Sequence, residues 1–510
     1  MQTQNPHPTQ STQSAQPAPV RRVVIVGGGT AGWMVAAGLS KTLGKRLDIS
    51  LIESDEIGTV GVGEATIPTL MTFHNLLELN EQEFMAATQA TFKLGIRFEN
   101  WRDRHEDYIH SFGSTGVDHW TAGFQHFWHK GRERKLAGEY GEYCLELKAA
   151  QENRFAHLPG NGMNYAYHLD ASLYAKFLRR FSEPLGVTRI EGKIVEVQTH
   201  PANGDISLLR LDSGQTITGD LFIDCTGFRG MLIGEAMKVP YEDWSHWLFA
   251  DSALALQTES AGEAVPYTRS IAREAGWQWR IPLQHRVGNG IVFSSRHIDK
   301  EEALQTLQAN ITGRPLTEPR LIKFRPGQRK VAWQGNCVAI GLSSGFLEPL
   351  ESTSIHLIQR GIIRLLQMFP SNGICQSDID EYNQQTSHEI THIRDFIILH
   401  YHVTRRSDTP FWRDCQNLML PDSLAHRIKL FRETGRVFRV PNELFTENSW
   451  IQVMLGQGIM PLQHHQTADL MGDAELGQFL GEIRSNIQKT VAHLPQHQAY
   501  VRQYCPAKAE

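Results

Sequence analysis

The segment Arg22-Val-Val-Ile-Val-Gly27-Gly-Gly29-Thr30-Ala31-Gly32-Trp33 constrains the fold more than any other part of the chain. Its apolar run reads as a buried strand, its glycines as a tight turn, and the residues after them as a helix. Gly27, Gly29 and Gly32 fill a G-x-G-x-x-G pattern. The first permits the turn, the second lets a pyrophosphate approach the backbone, and the third lets helix and strand pack closely. About twenty residues on, Ile49 to Glu53 reads as a second strand, ending in an acid placed to bond a ribose hydroxyl. Strand, turn, helix and acid in register predict an α/β nucleotide-binding unit. Gly58 to Thr66 is a glycine-punctuated loop that suits a flat cofactor, with a plain connection as the alternative.

A second segment, Gly341-Leu342-Ser-Ser-Gly-Phe-Leu-Glu348-Pro-Leu-Glu351-Ser352-Thr353-Ser354-Ile355, joins an apolar strand pattern (Cys337 to Ile340) to a helix pattern (Ile355 to Met368). A helix start presents unpaired N–H groups and positive partial charge, which suit an anion. Two carboxylates beside it cost stability unless one performs chemistry or caps the helix. The alternative is a surface loop decorated with Glu.

The chain has 510 residues, more than one core usually spans. Lys+Arg 50 against Asp+Glu 55 leaves −5, and no Lys/Arg-rich run is present, which argues against nucleic acid or an anionic membrane as partner. No apolar run is long enough to span a bilayer. Residues 1–19 are uncharged, read as a disordered tail and lack the pattern of a signal peptide. Scattered cysteines without C-x-x-C fit free thiols in a reducing cytoplasm. Residues 20–370 are expected to form the nucleotide-binding domain. Residues 371–505 are expected to form a mostly helical C-terminal subdomain, within which helices are predicted over 377–402, 422–434 and 474–491.

Between these landmarks, Phe92-Lys93-Leu94-Gly95-Ile96-Arg97-Phe98 alternates with period two, so Lys93 points away from the phenylalanines. It faces either solvent or a cavity, where burial would lower its pKa. His110 and Phe112 lie in an aromatic- and His-rich stretch running through Trp120 to Trp128, which is either core or the wall of a planar-substrate pocket. Further strands are expected at Ile190 to Val197, Asp220 to Asp224, Gly276 to Pro282 and Ile291 to Ser295. In the third of these Trp277 and Trp279 share a face. His388-Glu389-Ile-Thr-His392 matches H-E-x-x-H on a helix, but no third ligand is identifiable, so no metal is assigned.

Together, Gly27 to Trp33, Gly63-Glu64-Ala65-Thr66, Lys93, His110-Ser-Phe112, Asp224-x-Thr-Gly227-Phe-Arg-Gly230, Trp277-x-Trp279-x-Ile-Pro282 and Glu348-Pro-Leu-Glu351-Ser-Thr353 resemble the flavin-dependent tryptophan halogenase family, over about residues 22–413. The resemblance implies a Rossmann-like FAD-binding domain with added β-sheets, as in flavin monooxygenases. It implies FADH2 from a separate flavin reductase, O2, and chloride or bromide, oxidised to a hypohalous acid that reaches Lys93. Lys93, Glu351 and Ser352 would be catalytic, Thr353 and Ser354 would cradle the halide, and His110 and Phe112 would meet a small aromatic substrate. To the cofactor it assigns Gly27, Gly29, Thr30, Ala31, Gly32, Glu53, Ile57, Val62, Glu64, Ala65, Ile194, Asp224, Gly227, Gly341, Leu342 and Ile355; Trp277 and Trp279 are structural. A homodimer is compatible with it. Two departures follow. Ser354 stands where the family often has Gly, which restricts the backbone and implies weaker or bromide-tuned halide binding. The C-terminal substrate insert, here only Asn442 to Gln452, looks shortened, so indole or another electron-rich arene is expected rather than free tryptophan. The alternatives are a tryptophan halogenase proper, a flavin-dependent aromatic hydroxylase, a non-catalytic FAD-binding protein and a zinc hydrolase.

Overall fold

In the computed structural model the described residues are 18–56, 63–119, 121–160 and 162–507. Most of the expected tail, together with Ile57, Val62 and Trp120, lies outside them. The chain builds a six-stranded sheet in the order Trp333–Gln334, Cys337–Ala339, Leu221–Asp224, Arg22–Val26, Asp48–Glu53, Val187–Glu191. All neighbours in it are parallel except the outermost pair, Trp333–Gln334 with Cys337–Ala339. Crossover helices cover its faces, as a parallel sheet buried on both sides requires. This is the expected Rossmann-like α/β architecture.

The glycine turn closes as its spacing dictates. Gly27 has φ +111°, and a Cβ there would sit 2.3 Å from the Cys225 carbonyl oxygen. A Cβ on Gly32 would lie 1.8 Å from the Gly27 oxygen, so only glycine lets the helix Thr30–Leu43 leave the strand this closely. On Gly29 a Cβ would meet nothing within 4 Å, because that position faces open space.

The added β-structure is a seven-stranded sheet from Arg320–Lys323 to Glu106–Ser111, antiparallel except where Thr268–Arg273 runs parallel to Gly95–Asp103. Its Trp277, Trp279, Phe98 and Trp101 merge with Ile393, Phe396, Ile397 and Trp412 of the following helices into one core. The helix Gln376–His402 covers this core, while Val491 and Val501 near the C-terminus pack into the core beneath the nucleotide sheet.

Two strand expectations are corrected. The strand expected over Ile190 to Val197 is two strands, Val187–Glu191 and Ile194–Thr199, which belong to different sheets. Gly192, at φ +157°, sits at the break. Around Lys93 the alternation also breaks. Thr91–Lys93 pairs with Ala166–Asp170, and the next strand, starting at Gly95, pairs with Glu106–Ser111. Both faces are covered, so Lys93 is 0% exposed and the solvent-facing alternative is overturned.

Replacing Gly32 by Ala is expected to destabilise the protein by about 1–3 kcal/mol through overpacking, and to lower flavin affinity with it. Urea unfolding and flavin fluorescence quenching on the same preparation check this.

Candidate active site

The start of the helix Thr30–Leu43 opens into a cavity of about 570 Å³ at the ends of the parallel strands. Gly29 caps that helix without a side-chain hydrogen bond, and no acidic residue occupies its first turn. The first-turn N–H groups therefore suit a pyrophosphate. Gly27, Gly29, Thr30, Ala31, Glu53, Glu64, Ala65, Ile194, Gly227, Leu342 and Ile355 line the cavity as expected. Trp277 and Trp279 line it as well, and the buried Trp279 Nε1 has no hydrogen-bond partner. Open space over Gly29, an uncapped helix start and an unpaired indole N–H fit a flavin dinucleotide. Burial pushes the Glu64 carboxyl on the wall up to about 7.

Three assigned residues support the cavity from behind instead of lining it. Gly32 packs under the turn. Asp224 is fully buried, and its carboxylate accepts hydrogen bonds from the N–H groups of Thr226, Leu232 and Ile233 and from the Thr226 hydroxyl, which leaves it a structural anchor. Gly341 (φ +80°) lets the loop approach Ala31; a Cβ there would lie 3.1 Å from the Ala31 Cβ. Glu53 lines the cavity but is already paired with Arg189, and its carboxylate lies so close over Gly28 that a Cβ there would overlap it. The glycine pattern assigned no role to Gly28, and Arg189 carried no sequence signal because its strand is 136 residues away.

The loop between strand and helix forms the far wall. Pro349–Glu351 is a short 3₁₀ turn that ends at Ser352 in the left-handed conformation (φ +60°, ψ 36°). That reversal costs roughly 1–2 kcal/mol for a non-glycine residue, and it turns successive side chains in different directions. Ser352 Oγ accepts a hydrogen bond from Lys93 Nζ at 2.8 Å, while Ser352 also lines the flavin cavity. Lys93 Nζ also donates to the Thr66 carbonyl at 2.9 Å and lies 5.2 Å from the centre of the Phe112 ring. Burial lowers the Lys93 pKa to about 7, and the nearby Glu351 only partly opposes it.

Glu351 is fully buried and, unlike Ser352, does not line the flavin cavity. Burial alone would raise its pKa. His110 and His400 outweigh that and bring it down to about 2. His110 Nδ1 lies 3.0 and 2.9 Å from its two oxygens, and His400 Nε2 lies 2.7 Å from Oε1. An ionised carboxylate only accepts, so the facing nitrogens carry the protons, and the Tyr108 hydroxyl, 2.6 Å from His400 Nδ1, donates to it. His110 thus holds the acid, a contact its assignment to the substrate did not foresee. His400, buried and depressed in pKa, was missed: it sits 49 residues beyond Glu351 on a helix whose sequence reads as ordinary core.

Glu348 is buried, accepts from Trp277 Nε1 and the Tyr401 hydroxyl at 2.7 Å each, and is pushed by burial up to about 7. It ties the loop to the large sheet and to the helix Gln376–His402. Thr353 Oγ1 is buried without a partner at the start of the helix Ser354–Gln367. Ser354 takes regular helical conformation and lines the flavin cavity, so the absence of glycine there strains nothing. Phe445 and Trp450, from the expected substrate insert, pack on Phe396, which in turn lies against His110.

The H-E-x-x-H match dissolves in three dimensions. Glu389 is buried and held by His356, Arg360 and Arg364. His392 Nδ1 bonds the His388 carbonyl near the surface, so the histidines and the acid do not converge.

A dinucleotide-sized cavity at the ends of a parallel sheet, with one loop between it and a buried lysine and glutamate, fits the class of flavoenzymes. The tryptophan halogenase family description matches residues 22–473. The tryptophan 7-halogenase RebH of Lentzea aerocolonigenes is 35% identical, over 95% of this chain and 98% of its own. Among solved structures, Xcc4156, a flavin-dependent halogenase from Xanthomonas campestris, superposes with a TM-score of 0.95 at 66% identity, over 96% of this chain and 100% of its own. BrvH, a flavin-dependent halogenase from Brevundimonas sp. BAL3, gives 0.92 at 46%, over 96% and 99%. The chain belongs to the tryptophan halogenase family and is a flavin-dependent halogenase. Among the described residues no helix is long and apolar enough to cross a membrane.

A depressed lysine pKa has a defined sign. Between about 7 and the unfolded value near 10.5, the unfolded chain binds the proton and the folded chain does not. The destabilisation by buried Lys93 is therefore full below pH 7 and fades as pH rises toward 10.5. Lys93→Met is expected to raise Tm above that of the wild type by more at pH 6 than at pH 9. Paired melting curves check this.

Proposed function

We propose that this halogenase uses FADH2 delivered by a separate reductase, with O2 and chloride or bromide, to halogenate an electron-rich arene such as indole, with Lys93, Ser352 and Glu351 as its working groups. The observation that carries this reading is the Lys93–Ser352 hydrogen bond, in which Ser352 also borders the flavin cavity. Bound reduced flavin, with O2, supplies the oxidation of halide to hypohalous acid. Thr353 Oγ1 and the first N–H groups of the helix Ser354–Gln367 would hold the halide beside it. The other cofactor contacts are those of the cavity lining, with FAD as the dinucleotide.

Lys93 in its ammonium form donates to the hypohalous oxygen and so draws electrons from the halogen. A pKa of about 7 keeps both its protonated and neutral forms available near neutral pH. The arene attacks the halogen, the halogen–oxygen bond breaks, and hydroxide leaves as water with the lysine proton. Glu351, at about 2, stays ionised and stabilises the cationic ring, whose proton then passes to the neutral Lys93 amine and restores the ammonium form. Ring proton and lysine proton balance, and the net products are haloarene and water. Enclosure of both groups limits escape of the oxidant.

One observation favours an arene other than free tryptophan. The alignment with the 35% identical tryptophan 7-halogenase runs over 525 positions, longer than this 510-residue chain, so that relative carries residues that this chain lacks. Six free cysteines agree with a reducing cytoplasm.

Lys93→Ala is expected to abolish halogenation while flavin still binds, and Glu351→Gln to lower kcat by about two orders of magnitude or more. Product mass with and without halide checks these and separates halogenation from hydroxylation. Turnover of indole well above that of tryptophan is expected; equal turnover with full regioselectivity on tryptophan would remove the substrate reading.

A further inference from the structure

Apart from Lys93 and Glu351, the helix Phe124–Glu133 carries His129 and Glu133 one turn apart, and a later loop brings His464 beside them. One donor atom from each lies within 4.8 Å of the others. His464 Nδ1 is 3.3 Å from Glu133 Oε2, and its Nε2 is 2.9 Å from Asp469 Oδ1. Asp469 can only accept, so Nε2 donates to it, and Nδ1 faces Glu133. His129 is 6% exposed, and its buried Nδ1 has no hydrogen-bond partner. A carboxylate behind a histidine, fixing its tautomer, is the usual outer shell of a metal ligand.

We propose that His129, Glu133 and His464 bind a divalent transition metal of the zinc class, pinning the 464–471 segment to the helix Phe124–Glu133. Two imidazoles and a carboxylate select such ions over magnesium or calcium, which take mostly oxygen ligands. Bonds of about 2.0–2.1 Å in a tetrahedron place ligand atoms about 3.4 Å apart. The cluster must therefore contract, and it has the freedom to do so, because the Glu133 side chain is 51% exposed and His464 lies in a loop. Water completes the fourth position. Lys130, on the same helix, already holds this segment through the carbonyls of Ala468 and Met471 and lies 3.7 Å from Asp469. The metal adds a second tie beside it. None of the three residues lines the nucleotide cavity, and the proposal does not rest on the halogenation reading.

The test uses tag-free full-length protein, stripped with a chelator and titrated with zinc sulfate by calorimetry, with thermal unfolding in parallel. One equivalent is expected to bind and to raise Tm. His129→Ala and His464→Ala should lose both effects while retaining the wild-type circular dichroism. If either fails to fold, Glu133→Gln, at a half-exposed position, serves in its place with the same expected loss. Asp469→Ala should keep the stoichiometry and weaken affinity about 10- to 100-fold. His388→Ala, in the other histidine pair, should change nothing. The proposal is overturned if the wild type binds no more zinc than His464→Ala, or if the equivalent disappears in His388→Ala instead.

Discussion

The architecture depends on keeping one ammonium group buried beside one carboxylate. Taking Lys93 and Glu351 out of water is unfavourable for both, and each is tolerated only through fixed partners. Lys93 has a carbonyl and a hydroxyl; Glu351 has two imidazoles. Those partners come from four separate parts of the chain: Thr66, His110, Ser352 and His400. Holding them together requires the nucleotide sheet, the seven-stranded sheet and the helix Gln376–His402 to be locked at fixed distances, which the shared aromatic core achieves.

The two groups resolve the conflict between burial and charge differently. Lys93 has neutral hydrogen-bond partners, so burial dominates and its pKa falls. Glu351 has two imidazoles close enough to outweigh burial, so its pKa falls as well, which for an acid means a firmer charge. The result is an amine with a pKa near neutrality close to a firmly ionised carboxylate, and the proposed halogen transfer rests on that asymmetry. The left-handed Ser352 separates them: one residue earlier the chain points at the histidines, and at Ser352 it points at both the lysine and the flavin cavity.

Glu348 shows why two acids occur three apart. It binds the indole of Trp277 and the hydroxyl of Tyr401, and so fixes the loop to the sheet and the helix on either side. Its partners are neutral, and burial raises its pKa where that of Glu351 falls. Two glutamates of one turn thus become a group held by an indole and a phenol and an anion held by two imidazoles, divided by what each faces.

The nucleotide unit was legible in the sequence because its constraints are local. Gly27 and Gly32 are required by contacts with atoms a few residues away or on the adjacent strand, and spacing alone exposes that. Lys93, Glu351, Thr353 and the indole pair stood out through motifs. Residues acting through partners distant in the chain did not: His400, Arg189 and the carbonyl of Thr66 carry no local pattern. Asp224 matches a cofactor motif, yet its carboxylate is filled by backbone N–H groups that follow it in the chain. Solvent against cavity at Lys93 was undecidable from a period-two pattern, since both faces of that strand are covered. Sequence by itself determined the strand–turn–helix of the nucleotide unit, because the positive φ at Gly27 and the contact of Gly32 with the Gly27 carbonyl are set within a dozen residues. Only the tertiary structure decided the charge states at the site, because burial and the approach of two histidines from remote segments set those.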